Sequence, residues 1–360
     1  YNIELPLIPV LQDIEEAGTR IRTIDDNKSV FVELAERAVS EGRLKNASVY
    51  YRAAEFLTDP EDPDKVPLYR KFHETFYKGF ADEGISSFTV PYAGSFLPAM
   101  RLPAREGKSK GIVVIHGGFD SFIEEFYCFW RHFADSDYDV IAFEGPGPGG
   151  ALRLYNLYHD HDWEKPVSAV LDHFGIEDCT LLGISFGGYW CLRAAAFEKR
   201  VRRVIAHSVV YELMEGTNGL VRAMVPSMMK NRAFMNNNIR SRMKLVPTLR
   251  HVVRHCLSIT GPMDREPIEV AEWLLGMNKE HLHSGLIDQD VLLLAGAKDR
   301  FQPVKLYHKQ MKALTAARSV TGRVFTAQEK AASHCQMGNL DLALNFMTDW
   351  LDGLSEAGRK

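Results

Sequence analysis

The sequence predicts an α/β fold, a mostly parallel sheet covered by helices, with an all-helical segment before it and a second helical segment inserted into it. Three observations predict it. From about Ser87 onward, apolar runs of strand length alternate with helical patterns, the signature of successive βα units. Those runs are almost continuously apolar, as strands buried on both faces of a parallel sheet must be. Residues 1–82 contain no convincing strand, and the alternation stops again between 211 and about 285.

Taken in order, SVFVELAERAVSEGRLKNASVYYRAAEFL has apolar and alanine positions at helical spacing, with Gly42 separating two helices. The turn-rich DPEDPDK (59–65) is a joint, and VPLYRKFHETFYKGFA resumes the helix. SSFTVPY and FLPAMRL flank Ala93-Gly94-Ser95 and predict a β-hairpin. GIVVIHG (111–117) is a strand followed by an aromatic helix, and DVIAFEG (139–145) is a strand followed by the loop PGPGG. WEKPVSAVLDHFG is helical, CTLLGIS a strand, FGGYWCLRAAAF a helix and VRRVIAHSVV a strand. DVLLLAGA (290–297), a helix around VKLYHKQMKAL, a strand at GRVFTA and a helix at NLDLALNFMTDWL complete the pattern. The expected organisation is a helical domain (1–82), a first core part (83–210), a helical lid (211–285) and a second core part (286–360).

Composition narrows the function classes. The 360 residues are 46% hydrophobic and 25% charged, with a net charge of −4, the values of an ordinary globular protein. Nothing global points to nucleic acid or to an anionic membrane. No apolar run reaches the roughly 20 residues of a membrane span. The N-terminal YNIELPLIPVLQDIEEAG is acidic and lacks the basic-then-apolar order of a signal peptide. The chain begins at Tyr1 rather than Met, which leaves room for an upstream segment. Cys128, Cys179, Cys191, Cys256 and Cys335 are odd in number and scattered, without a C-x-x-C pair. That pattern argues against a zinc site or disulfide framework and favours a reducing cytoplasm. No metal and no cofactor is expected.

The chemistry centres on CTLLGISFGGYWCLRAAA (179–196), where Ser185 stands between Gly183 and Gly187 at a strand-to-helix junction. Such a turn can lift the serine oxygen above the sheet as a nucleophile elbow. Alone the pattern means little, since it arises by chance in about one chain in ten of this length. A serine hydroxyl also needs a base, and the base needs an orienting group. With the chain order Ser, acid, His, the acid belongs after a late strand, where VLLLAGAKDRFQP supplies Asp299. The histidine belongs between the last strand and the last helix, where RVFTAQEKAASHCQMGN supplies His334. Singly, Asp299 reads as a turn aspartate and His334 as a surface loop histidine. Their joint placement with Ser185 reads as a catalytic triad. An oxyanion would take one amide from Phe186 and a second from Gly118 or Phe119, in the loop HGGFDS. Asp120, Glu124, Glu125 and Tyr127 are expected to brace that loop, and His116 is the other histidine to watch.

GGFDSFIEE, EGPGPGG, GISFGGY, GAKD and SHCQMGN, behind an all-helical N-terminal segment, resemble the FrsA-like esterase group of α/β-hydrolases. Within it, the likeness is to 2,6-dihydroxypseudooxynicotine hydrolase and the fungal polyketide-shortening hydrolases, and it spans essentially the whole chain. The resemblance implies Ser185, Asp299 and His334 as the triad, and a substrate pocket between the sheet domain, the lid and the N-terminal helices. It also implies cleavage of a C–C bond in a 1,3-diketone-like aryl or polyketide substrate, as several members perform. The group's usual loop reads GPGQG, whereas this chain has Gly145-Pro146-Gly147-Pro148-Gly149. The lid is the part that shared motifs cover least.

Eight of the 12 methionines fall in the lid, and methionine surfaces adapt to irregular apolar shapes. They read either as a wall for a large flat aromatic molecule or as ordinary core filling. Arg222, Lys230, Arg232, Arg240, Arg242, Lys244, Arg250 and Arg254 occur between Thr217 and Met263 without one Asp or Glu. This stretch reads as solvated helix faces, as a subunit contact in a homodimer, or as a preference for an anionic or phenolate substrate. The triad itself does not choose a leaving group, so an ester, lactone or amide hydrolase stands beside the C–C hydrolase. A non-catalytic ligand-binding protein of the same fold is the rival from another class, and the N-terminal helices could serve as a protein-interaction module.

Overall fold

The computed structural model describes residues 7–216 and 219–357; residues 1–6 of the expected helical domain and Thr217, where the basic stretch begins, lie outside them. The N-terminal segment forms four helices, α1 (Leu7–Arg20), α2 (Ile24–Ser40), α3 (Leu44–Leu57) and α4 (Lys65–Gly79). Thr23 starts α2 with a reciprocal cap: its hydroxyl accepts the Asp26 amide while the Asp26 carboxylate accepts the Thr23 amide. Val30, Leu34, Ala35 and Ala38 line one stripe of α2 and are buried in one cluster with Ala47, Tyr50, Tyr51 and Ala54 of α3.

Eight strands follow: β1 (Ser86–Tyr92), β2 (Ser95–Leu102), β3 (Ile112–His116), β4 (Asp139–Phe143), β5 (Cys179–Ile184), β6 (Val201–His207), β7 (Asp290–Gly296) and β8 (Ser319–Phe325). They form one sheet in the order β1-β2-β4-β3-β5-β6-β7-β8. The β1–β2 hairpin turns on Ala93 and Gly94, both with positive φ, and β2 runs antiparallel to β4. All remaining pairs are parallel.

The helices are α5 (Tyr127–Asp135), α6 (Gly149–Arg153), α7 (Glu164–Phe174), α8 (Gly187–Phe197), then α9 (Gly219–Lys230), α10 (Arg232–Leu245), α11 (Pro247–Thr260), α12 (Ile268–Leu275) and α13 (Lys279–Leu282), and finally α14 (Val304–Ala313) and α15 (Leu340–Ala357). Alternate strand residues serve opposite cores. Val113, Ile115, Leu182 and Leu292 face a core shared with α2–α5 and α15, whereas Val114, Leu181 and Leu293 face one shared with α7 and α8. Burial on both faces is why these strands read as unbroken apolar runs.

Helices α9–α13 are inserted between β6 and β7 and hold a small cluster of their own around Val253, Leu257 and Val270. The methionines divide: Met243 and Met263 pack on that cluster, Met277 is fully buried in the main core, and Met224 and Met228 are exposed. The basic stretch is partly compensated from elsewhere. Arg254 pairs with Asp59 at 2.6 Å and with Glu61 at 2.5 Å on the N-terminal segment, and Arg232 pairs with Glu272. Lys230, Arg242, Lys244 and Arg250 are exposed, and the Arg222 side chain lies outside the described ones. All five cysteines are free thiols, four of them buried. Among the described residues, no helix is long and apolar enough to cross a membrane, and no cluster of metal-ligating side chains occurs.

Candidate active site

Ser185 sits between the end of β5 and the start of α8 with φ +60°, a left-handed conformation that ordinary residues avoid. Neighbouring backbone forces the glycines around it. A Cβ on Gly183 would overlap the Gly187 carbonyl, one on Gly187 would stand 2.5 Å from the Gly117 carbonyl, and one on Gly188 would overlap the Ser208 carbonyl. The Ser185 amide donates to the His207 carbonyl at 2.9 Å, tying the turn to β6. The elbow pattern is therefore a packing requirement at three glycines.

The structure brings Ser185, His334 and Asp299 together from loops 114 and 35 residues apart in sequence. Ser185 Oγ lies 2.9 Å from His334 Nε2, and His334 Nδ1 lies 2.7 Å from Asp299 Oδ2. An Nδ1–H donated to the carboxylate leaves Nε2 free to accept the serine proton. The other carboxylate oxygen, Asp299 Oδ1, accepts the Phe301 and Gln302 amides at 2.8 and 2.9 Å, which locks the rotamer of a side chain only 1% exposed. Burial pulls the His334 pKa down, but its hydrogen bond to Asp299 and the neighbouring Cys335 sulfur together outweigh that and leave the imidazole more basic than usual. The loop carrying His334 is strained, with Cys335 and Gln336 both at positive φ. Gln336 Oε1 accepts from His207 Nε2 at 2.7 Å, anchoring it to β6.

The loop after β3 reaches the same point. A Cβ on Gly118 would stand 2.9 Å from the Ser185 Cβ, so only glycine fits there. Of the two amides expected from this loop, that of Gly118 donates to Ser121 Oγ at 2.9 Å. Among the described residues, neither the Phe119 amide nor that of Phe186 finds an acceptor. One of these free amides follows the serine directly, and the other follows Gly118, which packs against it. Ser121, three residues beyond Gly118 in HGGFDS, was missed by the sequence reading; the signal was a hydroxyl placed to close a short turn.

Aromatic rings cluster around these residues. The Phe119 ring centroid lies 6.0 Å from Phe186 and 5.2 Å from Trp273 of α12, and Phe301 lies 5.2 Å from His334. His161 Nε2 donates to the Trp273 carbonyl at 3.0 Å, fastening the insertion to the loop before α7. Trp273 carries no local motif that announces this contact. His116 is fully buried, packs on Phe143 and Trp163, and bonds the Gly117 carbonyl at 3.1 Å through Nδ1. Burial lowers its pKa to about 3, so it stays neutral beneath the elbow.

The four residues expected to brace the loop differ in role. Glu125 accepts the Phe122 amide at 2.7 Å, and the Asp120 carbonyl accepts from Arg52 Nη2 at 2.8 Å. Tyr127 is buried, its ring centroid 4.3 Å from that of Phe80, in the core shared with α4. Glu124 is buried, takes a hydrogen bond from Tyr77 at 3.3 Å, and is raised to about 7 by that burial.

A family model described as the alpha/beta hydrolase fold matches residues 111–249. Among curated proteins, the chain is 38% identical to Hydrolase LUC6 of Fusarium sp over 180 residues, 44% of this chain and 43% of that protein. It is 34% identical to 20-hydroxy-prefusarin hydrolase FUS2 of Gibberella moniliformis over 221 residues, 54% of this chain and 52% of that one. The chain thus spans about half the length of the curated relatives it matches. Among solved structures, 2,6-dihydroxy-pseudo-oxynicotine hydrolase superposes with a TM-score of 0.68 at 19% identity, covering 97% of this chain and 96% of that one. Wild-type AbyA5 superposes with a TM-score of 0.67 at 18% identity, covering 91% and 85%. At such identities the structural likeness speaks for the fold.

Proposed function

Since the chain carries the α/β-hydrolase fold, we propose that it is a serine hydrolase in which Ser185 is the nucleophile, His334 the general base and Asp299 the group orienting the imidazole. One observation carries the reading: the unbroken path from Ser185 Oγ through His334 to Asp299, at 2.9 and 2.7 Å, beside two free amides. The substrate is a β-diketone-like aromatic or polyketide molecule, cleaved at a C–C bond next to a carbonyl. The aromatic walls at Phe119, Phe186, Trp273 and Phe301 support a flat substrate. The similarity to a 20-hydroxy-prefusarin hydrolase and to a 2,6-dihydroxy-pseudo-oxynicotine hydrolase supports the choice of class. Helices α9–α13 act as a lid over the site, and Trp273 brings that lid against Phe119.

In this mechanism His334 Nε2 takes the Ser185 proton as Oγ attacks a carbonyl carbon. The oxyanion rests on the Phe119 and Phe186 amides. Collapse of the tetrahedral adduct breaks the C–C bond; the departing enolate takes the proton from the His334 imidazolium and leaves as a ketone. Water, deprotonated by His334, then attacks the acyl-enzyme and releases a carboxylic acid. No cofactor is called for. Cleavage of an ester, lactone or amide on the same groups is the second reading, because the serine, histidine and two amides are indifferent to the leaving group.

Product analysis by mass spectrometry tests both readings, with wild type beside Ser185→Ala on an aryl 1,3-diketone and a matched aryl ester. Conversion of the diketone to acid plus ketone that depends on Ser185 supports C–C hydrolysis. Cleavage of the ester alone removes the C–C assignment, and an inert Ser185 toward a fluorophosphonate revives the ligand-binding alternative.

A further inference from the structure

The loop that carries the Phe119 amide is gripped from outside the sheet domain. Arg52, on α3, is buried to 7% exposure despite its charge. Its Nη2 donates to the Asp120 carbonyl at 2.8 Å, in the peptide that follows Phe119–Asp120. Its Nε lies 3.0 Å from Glu125 Oε2, the same oxygen that accepts the Phe122 amide at 2.7 Å. The guanidinium also lies 3.8 Å from the centroid of the Phe122 ring. On its far side, Nη1 donates to Glu55 Oε2 at 2.7 Å, and Glu55 is held in turn by Lys65 at 3.0 Å and Arg153 at 3.1 Å. One side chain thus holds the loop at residues 120, 122 and 125 while being fixed itself by a buried carboxylate.

Such a cluster is a poor way to gain stability, because desolvating several charges offsets most of their attraction. A planar fork of donors does give what an apolar contact cannot, a directed hydrogen bond to one particular carbonyl, with the Glu125 carboxylate held beside it as an ion pair. From this geometry we propose that Arg52 is a positioning residue. Through it the N-terminal helices hold the 118–125 loop so that the Phe119 amide faces the oxyanion site beside Ser185. The proposal rests on the reading of Ser185 as the nucleophile. It makes the N-terminal segment part of the catalytic apparatus and not only a cover or a docking module.

The test uses the full chain with Arg52→Lys and Arg52→Met. Lysine keeps the charge but cannot hold the Asp120 carbonyl, Glu125 and Glu55 together. For both variants kcat falls by about 10²-fold, the effect of a lost oxyanion donor, with KM within about threefold. Affinity for an aryl trifluoromethyl ketone, which mimics the tetrahedral adduct, falls in parallel with kcat/KM while product binding is unchanged. A merely structural residue would not produce that parallel. Folded variants that keep kcat within about threefold overturn the proposal. Should both fail to fold, Glu125→Gln keeps an acceptor for the Phe122 amide but loses the ion pair; an unchanged kcat in that variant overturns it equally. Hydrogen exchange at the amides of residues 119–122 judges the clamp without turnover. Faster exchange in Arg52→Met or Glu125→Gln supports it and unchanged exchange overturns it, whereas wild-type protein inert to fluorophosphonate sinks only the Ser185 reading.

Discussion

Gly118 and Ser185 approach so closely that a methyl group on Gly118 would stand 2.9 Å from the Ser185 Cβ and 3.3 Å from its Oγ. The loop and the elbow are therefore packed backbone against side chain, with no slack between them. Gly118→Ala must push the loop, and the Phe119 amide with it, away from the serine. We expect kcat/KM to fall by about 10²-fold or more, comparable to losing one oxyanion donor, and stability to fall by about 1–3 kcal/mol through overpacking. Steady-state kinetics beside a urea melt checks this; an alanine variant with wild-type kcat would show that the approach does not set the oxyanion geometry.

Asp299 raises the basicity of His334, and only the neutral imidazole can act as base. Activity should consequently climb with pH, with a midpoint above the ordinary histidine value of 6.5. In Asp299→Asn the midpoint moves down toward 6.5, and kcat drops by about 10⁴-fold because the imidazole loses its orienting acceptor. A pH–rate profile of kcat/KM for both proteins measures the shift, and an upward or absent shift contradicts the role given to Asp299. The linkage to stability has the opposite sense: the raised His334 pKa contributes stability below about pH 6.5 that is lost as pH rises through the folded value.

Trp273 ties the helical insertion to the site by its ring against Phe119 and by its carbonyl to His161. Replacing it with alanine removes the ring and leaves the backbone hydrogen bond. We expect KM for an aryl diketone to rise by about tenfold, with a smaller effect on a short aliphatic ester and little change in kcat. Equal losses on both substrates would argue against a substrate contact at Trp273.

Glu55 is fully buried among Lys65, Arg52 and Arg153. Burial alone would raise its pKa, yet the three cations bring it down to about 2 from 4.5. The stability it contributes is present above about pH 4.5 and lost as pH falls toward 2. Glu55→Gln leaves the cations without their common counter-ion and should cost about 3–5 kcal/mol at pH 7. Urea denaturation from pH 7 to pH 3 checks both statements; a loss below about 1 kcal/mol would mean that the cluster relaxes around the substitution.

Much of this molecule is written in short-range patterns. The strand-and-helix alternation, the hairpin at Ala93-Gly94 and the helical segments at each end of the first core part all come from local periodicity and turn chemistry. The spacing of Gly183, Ser185 and Gly187 was legible because a strained turn wedged against neighbouring backbone excludes nearly every other residue at those glycines. Asp299 and His334 were legible by position, since the end of β7 and the loop after β8 open at the same edge of the sheet as the elbow.

What the tertiary structure decided was which groups are left free once every contact is made. Gly118 and Phe119 were equivalent on sequence; the Ser121 hydroxyl, folding back across the turn, consumes one amide and leaves the other. His116 stood as close to the glycines in sequence as any histidine, but β3 carries it into the core, where burial keeps it neutral. The insertion's basic stretch looked uncompensated until Arg254 met Asp59 and Glu61, more than 190 residues away. Arg52 joined the loop after β3 across 68 residues. Period and turn chemistry act over a few residues and survive in any reading of the chain, whereas the fate of a single donor or charge depends on partners that only the closed fold delivers.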